Sequence, residues 1–506
     1  MEQKLKQFIA EHQTVYFFGI GNYGAALAER LPEIGLDFAG FIATSKTQAD
    51  SFTQAPLDSF MSKPVYLVDE VRGATVLALP EKYQPAAEKI LRDAGFRTFF
   101  HCSDDYMISN VRRSNTLTAE LVDSFRREVP FQTVEHKPWR EILVVCLGGI
   151  GDMVMTTPFL RELKRNHPTA AVTMITTPIS FNLMQTLPFI DHVVAFDWKK
   201  NIGTLRQRME HCRHFIDELL QARSLDAFDA APLPGWDVDL YVASFLIFFS
   251  RAAVRLGFSE HVNSVKASFN RNFDLLFSEV VDDREYRYDV DYKLVLLKHF
   301  GELVVNRNPE IFPTPEDHEK AARLLKEHLE GDTQLIVLGI SATAPNRVWA
   351  RENYAALIDR LHERHPELRF LIVGGHDAVA GAAHIIENTP RGIAIDLTDR
   401  LTLRESAAIC YRASIYVGNN TGAMHLAAAS GTLCVGIFPI AKDDDDHDSD
   451  SPARTRPVGE GHVCLQPEHT LDDCTGHCLK PFAHCINQIT VAEVCESVEK
   501  ILPQCH

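Results

Sequence analysis

The sequence predicts an α/β protein: two facing doubly wound domains, preceded by a smaller domain of the same alternating kind. Three observations carry this. Short apolar runs alternate with amphipathic stretches of helical period, the pattern of parallel strands covered by helices. Several runs end in glycine-rich turns, among them Gly19–Gly24, Gly148–Gly151 and Asn419–Gly422. The pattern restarts twice, and 506 residues suit two or three domains. The expected divisions are 1–135 (first domain and connector), 140–310 and 311–506.

A hydrophobic content of 45% with 24% charged residues supplies an ample core. A net charge of −17 argues against a nucleic-acid partner held through phosphates. The N-terminal segment MEQKLKQFIAEHQ has no secretory apolar region, and the most apolar stretch, near Tyr241–Phe249, is too short to span a membrane. Of eleven cysteines, six (Cys102, Cys146, Cys212, Cys410, Cys434, Cys495) are scattered in apolar or helical contexts. They read as reduced core thiols, which points to a cytoplasmic protein.

In the first domain, strand Val15–Phe18 runs into Gly19, Gly21 and Gly24, followed by helix Ala25–Leu31 and strand Phe38–Ala43. A GxGxxG between strand and helix is the context of a Rossmann dinucleotide fingerprint. The second strand, GFIATSK, ends without the acidic residue that would hold a ribose. A nucleotide or sugar ligand at these glycines, or a purely structural or assembly role, are both compatible with the pattern. The further strands PVYLVDE, ATVLALP and RTFFHC and helix Gln84–Ala94 complete a small Rossmann-like accessory domain, and Asp104–Arg140 reads as a partly helical connector.

The second domain opens on Ile142–Leu147, a buried-strand pattern that ends at Gly148-Gly149-Ile150-Gly151. Asp152 follows at the start of a helix, as either a capping residue or a carboxylate in a ligand crevice at a strand's carboxyl end. Strands Ala171–Thr177, His192–Asp197, Phe228–Pro232 and Val254–Ser259 alternate with helices Ser180–Leu187 and Gly203–Ala222. Asp237-Val-Asp239 and Asp289-Val-Asp291 have the DxD form of a metal-binding pair, but neither follows a clear strand. In the third domain, helix Pro315–Leu329 precedes strands Gln334–Gly339, Arg369–Val373, Ile415–Gly418 and Leu433–Phe438, with helix Ala423–Ala429 after Asn420-Thr421-Gly422.

Three separated segments resemble glycosyltransferase family 9, the bacterial heptosyltransferase group. They are GGIGDMVMTTPFLRELKRNHP, SATAPNRVWARENYAALIDRL and VGNNTGAMHLAAASGTLCVGIFP. The second carries Arg347 two residues before Trp349. The third matches the family's DTG…H…AA signature at Thr421, Gly422 and His425, with Asn420 where the family often has aspartate. The resemblance covers the second and third domains and implies a GT-B fold. It also implies an inverting transfer from a nucleotide-diphosphate sugar, a heptose or another sugar, to a glycan, lipopolysaccharide or protein hydroxyl.

The residue chemistry agrees with this. Thr421-Gly422 opens a helix whose N–H groups suit a diphosphate, beside Gly151, Asn420 and His425. Ser341, Thr343 and Arg347 follow a strand end and can reach phosphate, and Arg347 can stabilise the leaving group without a metal. Asp152 can act as general base toward the acceptor hydroxyl. No cofactor is required for such a transfer. Two other readings fit parts of the chain. One is an NAD(P)-linked oxidoreductase or epimerase centred on Gly19, Gly21 and Gly24; the other is a non-catalytic sugar-nucleotide-binding assembly protein, with Asn420 as its mark. The extra first domain makes a homo-oligomer an expectation.

Two features lie outside the motifs. Ala441–Ser451, AKDDDDHDSDS, is a carboxylate run that suits a mobile lid or a divalent-cation site. Cys464, Cys474, Cys478 and Cys485, with His469, His477 and His484 among them, form a set of soft ligands suited to structural zinc or iron. Helix Val491–Ile501 closes the chain.

Overall fold

The computed structural model describes the chain except for residues 13, 19–21, 44–58, 61–62, 72–74, 81–83, 132–137, 202, 329–332, 445–447, 472–473, 475–481 and 503–506. The chain forms two compact units. The first comprises 1–136 and 197–284, the second 137–196 and 285–506.

The first unit begins with strands β1 (Val15–Phe18), β2 (Gly40–Ala43), β3 (Ser59–Phe60), β4 (Lys63–Leu67), β5 (Thr75–Pro80) and β6 (Phe99–Cys102). They form a sheet of order β3-β4-β2-β1-β5-β6, parallel except for β3 against β4. Phe38 packs edge to face on Phe17 and on Phe41, in one core with Leu5, Leu27 and Leu31 from the Glu2–Glu11 and Asn22–Glu33 helices. The expected connector is two capped helices. Ser103 accepts the Tyr106 N–H ahead of Asp104–Ser114, and Thr118 accepts the Leu121 N–H ahead of Ala119–Arg126. Between these helices the fully buried Leu117 is tied at both backbone groups. Its N–H donates to Arg271 O (3.2 Å), and its carbonyl accepts from Asn272 Nδ2 (2.7 Å).

Strands β7 (Glu141–Val145), β8 (Ala171–Thr176) and β9 (His192–Ala195) belong to the second unit and pair in parallel. β10 (Ala230–Pro232), β11 (Val254–Phe258) and β12 (Glu279–Val281) return to the first and are also parallel. There the buried Lys266 donates to the carbonyls of Trp236 and Phe258, each at 3.1 Å, and its desolvation pushes the ammonium pKa down to about 8.

In the second unit, the Ile150–Asn166 helix crosses a proline. Pro158 has no N–H for the Val154 carbonyl, and Thr157 Oγ1 supplies the missing donor at 2.8 Å. Farther along this helix, the buried Glu162 grips an extended segment by accepting the N–H groups of Val305 (2.9 Å) and Asn306 (3.3 Å). Arg161 donates to the Asn306 and Asn308 carbonyls, and Asn166 to that of Leu303. Burial alone would raise the Glu162 carboxyl, but the Val305 N–H, Arg165 and Arg161 outweigh it and hold the pKa below the ordinary range.

The remaining strands are β13 (Leu335–Gly339), β14 (Arg369–Val373), β15 (Ala394–Asp396), β16 (Ile415–Asn419), β17 (Leu433–Ile437) and β18 (Val463–Leu465). They form a wholly parallel sheet of order β15-β14-β13-β16-β17-β18. The order reverses at β13/β16, the switch point where such sheets bind ligands beyond their carboxyl ends. The closing Val491–Ile501 helix is fixed by a Thr490/Glu493 capping box and packs on the Arg351–Arg364 helix. Among the described residues no helix is long and apolar enough to cross a membrane.

Candidate active site

Two helix N-termini meet in the second unit. β7 feeds the Ile150–Asn166 helix, with Gly149 as N-cap and Asp152 as its third residue. Asp152 Oδ2 accepts the Gly149 N–H at 2.8 Å, so the capping role weighed for this carboxylate is present. A Cβ on Gly148 would fall 2.4 Å from that oxygen, so glycine is what lets the carboxylate fold back over the turn. β16 feeds the Gly422–Ala429 helix, capped by Thr421. A Cβ on Gly422 would stand 2.5 Å from Ile150 Cβ, and one on Gly151 would stand 2.9 Å from His425 Cδ2. The two ends touch because each contributes a glycine, and both positive dipole ends converge there.

Asp152 sits in a charged surrounding that the motifs did not announce. Desolvation raises its pKa and Asp289 adds to the rise; Lys293, the Gly149 N–H and Arg454 oppose it. His425 is only 5% exposed, and burial, reinforced by Lys293 against Asp289, pushes its pKa down to about 4. It is a neutral imidazole at physiological pH. Asp289 opens the Asp289–His299 helix, and Lys293 lies one turn on, buried. Arg454, also buried, binds Asp289 Oδ1 through Nη2 (2.7 Å) and Nε (3.2 Å). Sequence reading missed Lys293 and Arg454. The one available signal was a lysine inside the apolar run of DVDYKLVLL.

Arg347 closes the single turn Pro345–Arg347. Its Nη2 donates to the Asn420 carbonyl (3.0 Å) and pairs with Asp450 Oδ1 (2.8 Å). Asn420 Nδ2 donates to Thr455 Oγ1 (3.2 Å) and to the Asp450 carbonyl (3.3 Å), ties that an aspartate could not donate. Asn419, also missed, is fully buried. It accepts the Trp349 N–H (2.9 Å) and the Tyr354 hydroxyl (3.3 Å) and donates to Ser341 O (3.4 Å). Trp349 Nε1 donates to Ile489 O (2.8 Å), which pins the 341–349 loop. Gly151, Asp152, Gly422 and His425 are thus brought together, Thr421 and Asn420 stand directly before them in the chain, and Arg347 is one hydrogen bond from Asn420. Ser341 joins through Asn419; Thr343 is exposed on the same loop.

Gly19 and Gly21 lie outside the described residues, and Gly24 is buried in the Asn22–Glu33 helix. Of the DxD pairs, Asp239 spends its carboxylate on the N–H groups of Tyr241, Ala243 and Ser244. Asp289 is the partner of Arg454, and Asp291 pairs with Arg307 (3.0 Å). The acidic run has residues 445–447 outside the described set, while its Asp450 is the partner of Arg347.

Among the described residues, the thiols of Cys474 and Cys485 and the His484 ring lie within 4.8 Å of one another. Both sulfurs are 3.5 Å from His484 Nδ1. Cys478 lies outside the described residues, and Cys464 is elsewhere, on β18, packed against the sheet core. Two thiols and an imidazole fit zinc or iron by donor type.

Residues 238–472 match the family model for glycosyltransferase family 9 (heptosyltransferase). The chain is 22% identical over 292 residues to lipopolysaccharide heptosyltransferase 3 of Escherichia coli, covering 57% of this chain and 80% of that protein. The crystal structure of the family 9 glycosyl transferase of Veillonella parvula superposes with a TM-score of 0.59 at 19% identity, over 73% of this chain and 99% of that one. The E. coli ADP-heptose lps heptosyltransferase II gives 0.54 at 16% identity, over 72% and 98%. Fold and matches define a transferase enzyme, a glycosyltransferase of GT-B type. Over residues 238–472 the chain matches glycosyltransferase family 9, and it is similar to heptosyltransferases in sequence and fold.

Proposed function

We propose that the protein transfers a heptose from a nucleoside-diphosphate donor, ADP-heptose by the names of its relatives, to a hydroxyl of a lipopolysaccharide or related surface glycan, in the cytoplasm. The observation that carries this is the abutment of two glycine-opened helix N-termini beside a carboxylate of raised pKa. Converging dipoles and first-turn N–H groups suit the donor diphosphate. The raised pKa makes Asp152 a stronger base than an ordinary carboxylate.

In the proposed step, Asp152 takes the acceptor hydroxyl proton as that oxygen bonds to the anomeric carbon. The bond from that carbon to the diphosphate breaks on the opposite face, so configuration inverts. The helix N-termini and Arg347 stabilise the charge on the departing diphosphate, with no metal in the step. Thr421, Gly422 and the 341–343 loop hold the phosphates, and neutral His425 packs against Gly151. Asp450 pairs with Arg347 in the way a phosphate oxygen would, so the donor diphosphate competes with it for the guanidinium. Cys474, His484 and Cys485 would hold a structural metal that takes no part in this step; metal analysis of the purified protein tests that assignment.

A thermal-shift screen against nucleoside diphosphates and their sugars tests the function. A ligand that binds only the folded protein raises Tm by mass action. ADP-heptose raises Tm, and Arg347→Ala abolishes the shift. A shift with NAD(P) and none with any sugar nucleotide would refute the reading.

A further inference from the structure

The first unit contains a groove of about 670 Å³ that no step above uses. One wall is the end of the Asp104–Ser114 helix and the turn after it; the other is the segment beyond the carboxyl end of β11. The seam is built rather than incidental, because both backbone groups of Leu117 are bonded across it to Arg271 and Asn272.

The groove concentrates cations in a chain whose net charge is −17. Arg112, Arg113 and Arg271 line it, with His261. Arg113 pairs with Glu33 at 2.8 Å. Arg112 and Arg271 have no carboxylate partner among the described residues. Arg112 is instead stacked on Phe269, 5.0 Å from the ring centroid, which steadies the guanidinium and leaves its in-plane donors for a ligand. Like charges crowded on one groove repel, and an anion relieves that repulsion. The arginine fork matches phosphate geometry. The rest of the lining suits sugar hydroxyls: Thr116 and Ser268 each donate to a backbone carbonyl and keep lone pairs free to accept, and the Glu260 carboxylate is an acceptor. A volume of about 670 Å³ lies within the range of small-ligand sites.

We propose that this groove binds a phosphorylated sugar unit of the acceptor glycan, so that the N-terminal domain contributes to acceptor recognition. The acceptor role rests on the transferase reading above; the binding chemistry does not.

Calorimetric titration of the full chain with glucose 6-phosphate, glucose and inorganic phosphate tests it. Glucose 6-phosphate binds and glucose does not. Arg112→Gln and Arg271→Gln each weaken binding by roughly tenfold, the loss of one charge-assisted contact. Both variants retain the wild-type Tm and its shift with ADP-heptose, and Arg347→Ala leaves glucose 6-phosphate binding intact. Unchanged binding in the double variant overturns the site. So does inorganic phosphate binding as tightly as the sugar phosphate, which would mark an adventitious anion site. Binding to anionic phospholipid vesicles that the two substitutions abolish, with no glucose 6-phosphate binding, would assign the groove to a membrane surface instead. If no sugar nucleotide shifts Tm while glucose 6-phosphate still binds the groove, the acceptor role falls and the site remains.

Discussion

Asp152 caps a helix, and as the proposed base it would also exchange a proton; its surroundings pull on its protonation in opposite directions. The Gly149 N–H favours the carboxylate, while desolvation and Asp289 disfavour it and win. A carboxyl whose pKa is higher folded than unfolded binds its proton more tightly in the native state, so its ionisation destabilises the fold as pH rises. Asp152→Asn is therefore expected to lose about 10²–10⁴-fold in kcat, while its Tm at pH 8 equals or exceeds wild type. The Tm difference vanishes below the unfolded carboxylate pKa; a lower Tm at pH 8 would contradict the account. Asp289→Asn removes a negative neighbour and should move the acidic limb of the kcat/KM profile to lower pH. Lys293→Met should move it to higher pH. A shared direction in the two profiles would mean that the cluster only holds the fold.

At the scale of elements, the 448–455 segment links the charges. Asp450 holds Arg347, Thr455 holds Asn420, and Arg454 holds Asp289. Asp450→Ala removes the carboxylate with which the donor competes and should lower the Kd for ADP-heptose in equilibrium titration; a rise would show that Asp450 positions Arg347 rather than opposing the donor. The elements were largely readable beforehand because glycine turns punctuate them. Val15–Phe18, Arg369–Val373 and Val491–Ile501 have the bounds their apolar patterns predict. Arg454 was not readable, since its four-residue helix follows an acidic run that looks like solvated loop. Asn419 was not either, because its importance comes from three loop contacts that only the folded chain assembles.

For the whole molecule, the order of sheets and helices followed from periodicity, but the charge cluster around Asp152 did not. It draws on residues 289, 293, 425 and 454, which no local pattern connects. The Cys/His cluster behaves similarly: the cysteines were visible in sequence, yet among the described residues folding gathers Cys474 and Cys485 with His484 and leaves Cys464 in the sheet core. Ile486 and Ile489 beside that cluster pack into the same core as Trp349 and the closing helix. A chelator is therefore expected to lower the Tm of the whole second unit in a single cooperative transition, followed by calorimetry. An unchanged transition would mean that the cluster holds no metal.

The Ile150–Asn166 helix works as a lever. One end bears on the Gly422 turn through Ile150, and the other is gripped by residues 303–308 through Arg161, Glu162 and Asn166. Its proline, which would ordinarily act as a soft joint, is stiffened by Thr157. The carboxylate of Asp152 is thus seated on a helix held at both ends, at Gly422 and along residues 303–308.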